Sequence, residues 1–154
     1  LTLAVASAAS AQRLSVNKSD VDSLRIPYSL YELSLFLKSK LVNDEPLLLQ
    51  RNWGLVRSYY SLEAGRGELK ILLQEASISG AIYNLNSKLA DKGEISDVQF
   101  LNSKLAYLSK ERELIAKRSE CRNLILEIIR LCNISIVVSE ASNDQKKKAH
   151  SPSD

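Results

Sequence analysis

Leu48, Leu55, Leu62, Leu69, Ala76, Tyr83 and Ala90 recur every seven residues, six intervals without a slip. An apolar repeat of this period winds one seam down an α-helix and requires a second helix to cover it. Leu73, Ile82 and Leu89 lie on neighbouring rows. The pattern predicts a helix over 47–90, opened by Asn43 or Asp44 as cap and by Pro46, whose missing N–H is no loss in a first turn. Gly65, Gly67 and Gly80 each weaken such a helix by roughly 1 kcal/mol relative to Ala. Gly65 and Gly67 mark "AGRG" (64–67) as a candidate kink, or a break that would split the rod in two, with one continuous helix the favoured reading.

The stop is equally well written. Gly93 accepts the left-handed conformation that ends a helix. Ser96 and Gln99 have capping-box spacing, with Ile95 and Phe100 placed for a hydrophobic staple. A stop and a start this close together fold a second helix, expected over 97–138, back antiparallel on the first. Val98, Leu101, Leu105, Leu108 and Ile115 form its first apolar row. Leu114, Cys121 and Ile128, with Arg118, Ile125 and Cys132, take over after residue 112. Glu113 and Lys117 have the favourable order for an ion pair one turn apart.

Upstream, residues 28–42 read as a short helix with Leu30, Leu33, Leu37 and Leu41 on one side, and 12–27 as an extended lead-in. The opening "LTLAVASAASAQ" reads as the back half of a secretory signal peptide, residues 1–11, with Ala9-Ser10-Ala11 as the small-x-small cleavage site. The chain is therefore expected to be exported. No segment reaches the ~20 apolar residues of a membrane-spanning helix. The tail, 139–154, lacks periodicity and is expected to be disordered.

With 2 Phe, 1 Trp, 5 Gly and 3 Pro in 154 residues, the chain lacks the aromatic and turn residues a β-protein needs. The fold expected is all-α: a long antiparallel two-helix coiled-coil hairpin with a short N-terminal helix, oligomeric or partner-docked. A pair of long helices shares one seam, so Leu49, Val56, Ile71, Ile78 and Leu85 require another cover.

The net charge of +3 arises from basic and acidic residues interleaved as in "KERELIAKRSECR" (110–122), which argues against nucleic acid. Cys121 and Cys132 are about 16 Å apart along one helix, beyond disulfide reach, and read as buried small hydrophobes. His150, the sole histidine, lies in the tail. No metal-ligand spacing, nucleophile elbow or phosphate loop is present, so no catalytic, metal or cofactor residue is assigned and no enzyme is expected. Trp53, Tyr59 and Tyr60 near Arg51 and Arg57 read as an aromatic layer inside the hairpin in preference to a binding patch.

"LVNDEPLL" (41–48), followed by the turn residues Gly93, Ile95, Ser96, Phe100 and Leu101, resembles the outer-membrane efflux protein family, the TolC-like channels. In that family the first signal, here one residue longer before Pro46, ends a repeat's opening helix, and the second turns a helical hairpin. Ala90 stands where the family has Tyr, and Gln99 where it has Asp. The family's β-hairpin between these signals is missing here, and there is one repeat where full members have two. The resemblance covers about 35–134 and implies a strand-less periplasmic hairpin. It would lie near the outer membrane without its own span, and act as conduit or scaffold in envelope transport. Asp91, Lys92, Gly93, Glu94, Ile95, Ser96, Asp97 and Gln99 would then form the tip that meets a transport partner. Leu48, Leu55, Leu62, Leu69, Tyr83, Leu101, Leu105, Leu108 and Ile115 would form assembly seams for self-association. The alternative is a secreted helical binding module without a transport role.

Overall fold

The computed structural model describes residues 13–138; the expected signal remnant and tail lie outside the described residues. The protein is an all-α helical hairpin with a small annex at its base. In order, the elements are β1 (Ser15–Asn17), α1 (Lys18–Asp22), α2 (Leu30–Lys40), α3 (Glu45–Asp91), α4 (Asp97–Cys132) and β2 (Ser135–Val137). At 47 residues α3 is about 70 Å long, and α4, at 36, about 54 Å.

Helix α3 starts where its chemistry says it should. The Asp44 carboxylate accepts from the Leu47 N–H at 3.1 Å, and Pro46 sits in the first turn. It passes through Gly65 and Gly67 without a break. Gly93, at φ 71°, closes it: the Gly93 N–H donates to Ala90 O and the Glu94 N–H to Leu89 O, both at 2.9 Å. Ser96 and Gln99 then cap α4 reciprocally, as their spacing predicts. Helix α2 has the same device in Ser29 and Glu32. The backbone N–H of Ser29 first, then its hydroxyl, donates to Glu32 and holds that carboxyl below its usual range.

Three expectations are corrected. Residues 12–27 are not simply extended, because β1 and α1 form there. The second long helix stops at Cys132, where Asn133 turns left-handed at φ 52°, and its expected last turns are instead β2. That strand pairs parallel with β1, Val16 opposite Ile136. The Tyr28 hydroxyl covers the other edge of β1, donating to Ser15 O at 2.6 Å and accepting from the Ser15 N–H at 3.2 Å. Glu113 pairs with Lys110 at 3.0 Å, while Lys117 reaches Glu68 and Glu120, so the expected Glu113–Lys117 pair is not made.

The core is thickest at the base. Leu33 and Leu37 of α2, Leu55 and Leu62 of α3, and Cys121, Ile125, Ile128 and Cys132 of α4 are buried around Val16. Each buried Leu or Ile contributes about 1.5–3 kcal/mol relative to an exposed one. Toward the tip a narrower cluster of Leu69, Ala76 and Leu114 continues the seam. Beyond it, Tyr83 stacks between Phe100 and Tyr107, with ring centroids 5.8 and 5.6 Å apart.

Candidate functional site

The contact line on α4 is the row Phe100, Tyr107, Leu114, Cys121 and Ile128, seven residues apart throughout. Leu114, Cys121 and Ile128 of this row are buried. It starts at the tip and does not take over halfway, so the expected handover between two rows is corrected. On α3 the expected row is the seam: Leu55, Leu62 and Leu69 are buried, and Leu48 and Tyr83 half-buried. Leu55, Leu62 and Leu69 are therefore spent on packing within the chain.

The other expected row faces water. Leu101, Leu105, Leu108 and Ile115 are exposed, Leu105 and Ile115 by 65%, and Val98 by 66%. On a turn of 3.5 residues, a side chain one position past the contact row lies roughly 100° around the helix from it. Leu101, Leu108 and Ile115 each follow a contact residue in this way. Helix α3 carries an outer row of its own, Ile71, Ile78 and Leu85, with Ile82 beside it, all half exposed or more. These residues stand two past contact positions, roughly 200° around. Both outer rows lie in the tip half of the hairpin, beyond the cover of α1 and α2.

Charged pairs pin the two helices in register between these rows. Lys110 reaches Glu75 of α3 at 2.9 Å and Glu113 of its own helix at 3.0 Å. Lys117 reaches Glu68 and Glu120, each at 2.7 Å. Lys117 donates first to Glu120 and then to Glu68, Lys110 first to Glu75 and then to Glu113, and these hydrogen bonds hold both ammonium groups above the usual lysine range. Their carboxylate partners are about half exposed, so solvent screens each pair and it serves mainly to fix register.

The tip presents Asp91, Lys92, Gly93, Glu94, Ser96, Asp97 and Gln99 to solvent, with Ile95 half-buried beneath them. The expected aromatic layer of Trp53, Tyr59 and Tyr60 is not formed. Trp53 is 75% and Tyr60 64% exposed, and Tyr59 alone packs on the base core. The aromatic layer is Tyr83, Phe100 and Tyr107, signalled in the sequence by the seven-residue step from Phe100 to Tyr107.

Among the described residues no group of three His, Cys, Asp or Glu side chains is placed to hold a metal. No helix there is long and apolar enough to cross a membrane. Cys121 and Cys132 are buried and unpaired with each other. Burial raises both thiols, that of Cys132 to about 12. Such thiols are poor nucleophiles. No family model, curated protein or solved structure matches this chain.

Proposed function

We propose that this chain is an exported, non-catalytic helical hairpin that assembles laterally, with copies of itself or with an envelope transport partner, in a structural or conduit role. One observation carries the reading: both long helices expose an apolar heptad row over the same tip half, Ile71, Ile78 and Leu85 on α3 and Val98 to Ile115 on α4. Paired rows of this size rarely stay uncovered on a monomer. The transport role itself rests on the TolC-like resemblance of the turn at Gly93 and Ser96, and in that role residues 91–99 are the partner-facing tip.

Size-exclusion chromatography with light scattering tests it. The expected result is an oligomer that Leu105→Glu with Leu108→Glu dissociates, the helical circular dichroism being unchanged because both side chains are exposed. A wild-type chain that stays monomeric up to high micromolar concentration overturns assembly with copies of itself.

A further inference from the structure

We propose that the groove between α3 and α4 in the base half is a two-fold interface, on which a second copy of this chain seats with its tip pointing the same way. This rests on the self-association reading but names a different surface from the outer row of α4.

The groove, about 540 Å³, is lined by α3 and α4 alone, with no residue from α1, α2 or the strands. Gly54, Ser58 and Ser61 make a shallow α3 wall and Leu124 and Leu131 the α4 wall, while Trp53 stands 75% exposed at the rim. Arg57 lines the α3 side and Glu127 the α4 side. Neither has an ion-pair partner among the described residues.

The two charges stand level. A Cβ on Gly54 would meet Leu131, and a Cβ on Gly65 would meet Cys121. Between those contacts the helices run antiparallel, which brings Arg57 level with Glu127 and Ile128. A two-fold axis along the hairpin lays α3 of one copy over α4 of the other at equal height. Arg57 then faces the partner's Glu127 and Glu127 the partner's Arg57, two ion pairs from one contact, while Trp53 comes onto the partner's Leu131. An isologous face must be self-complementary in this way. Every helix then neighbours antiparallel helices, as in an up-down four-helix bundle.

Charge selects the direction of the second copy. Glu113 and Glu120, one and two heptads from Glu127, are already held by Lys110 and Lys117, so Glu127 is the carboxylate of this row left for a partner. Seating the second copy end for end would take Arg57 away from the partner's Glu127 and leave both charges unpaired, which penalises that register.

The test is a charge swap read by light scattering and by the fluorescence of Trp53, the chain's single tryptophan. Arg57→Glu and Glu127→Arg should each weaken the dimer about tenfold or more, and the double variant should return to within about threefold of wild type. Trp53 emission should shift to the blue as concentration rises through the dimer range. In a Lys92→Cys variant a short bismaleimide should join two tips. A dimer that the swap does not rescue, or whose tips do not cross-link, overturns this interface and leaves self-association standing. A monomer at every concentration overturns both.

Discussion

A Cβ added to Gly65 would stand 3.0 Å from the sulfur of Cys121, which is itself fully buried. The glycine that weakens α3 in isolation is thus the seat of an α4 side chain. Gly65→Ala would gain about 1 kcal/mol of helix propensity but overpack a rigid contact at about 1–3 kcal/mol, a net loss near 1 kcal/mol. Gly67, two residues on, meets nothing within 4 Å and is exposed, so Gly67→Ala should stabilise by about 1 kcal/mol. Urea denaturation of the two variants checks the opposite signs. Cys121→Ala in the Gly65→Ala background should recover much of the loss.

At the turn, Gly93 sits at φ 71° with open space around it. Gly93→Ala therefore acts through backbone strain alone, about 1 kcal/mol. Ser96→Ala removes the acceptor of the Gln99 N–H, which typically costs about 1 kcal/mol. Thermal melts should show both losses. Light scattering should show no change in assembly state from either, since neither residue belongs to an outer row.

The seam of α3 was legible because one heptad row outweighs its neighbours and the cap and turn residues at Asp44, Gly93 and Ser96 bracket it. On α4 the row Leu114, Cys121 and Ile128 was legible past residue 112, but nearer the tip the periodicity points to the wrong row for a physical reason. Two apolar rows compete there, and Leu101, Leu105 and Leu108 look more like a coiled-coil seam than Phe100 and Tyr107. What decides between them lies on the other helix: Gly80 leaves room for Tyr107 and Gly65 for Cys121, and small residues opposite large ones set which face closes. Periodicity within one helix does not contain that complementarity. Strands β1 and β2 were missed because three-residue strands carry no alternation, and Val16 meets its partner Ile136 only after the whole hairpin has folded. The candidate site followed the same division, since the outer α4 row was named from sequence as a seam while its outward direction came from the packing.

The thiols give a pH test. Cys132 is 1% exposed and burial pushes it to about 12, well above the usual thiol value. A folded-state pKa raised in this way favours the protonated native form. Its contribution is complete below the unfolded thiol's pKa, about 8.5, and is lost as pH climbs toward 12. Stability should therefore fall across that window, and Cys132→Ala should flatten part of the slope in denaturation curves. At pH 8 a disulfide-exchange reagent should leave both thiols untouched in the folded chain and titrate 2 after unfolding.

Arg66 ties the annex to the hairpin. Its Nε donates to the Leu24 carbonyl at 2.8 Å, a terminal nitrogen donates to the same oxygen, and the other terminal nitrogen meets Glu63 at 2.7 Å. Leu24 is held at φ 57°, in the left-handed region, where a leucine is found only when its surroundings hold it there. Its side chain packs against both core clusters. Arg66→Ala should therefore loosen α1 and its exit more than it unfolds the hairpin, with a loss of about 1.5 kcal/mol, the lower end for a charged donor because the side chain is partly exposed. Limited trypsin digestion should cut after the exposed Arg25 several times faster than in wild type, while the long helices keep their circular dichroism. Arg66→Lys should protect only in part, because one ammonium cannot reproduce the planar fork that grips the Leu24 oxygen from two nitrogens.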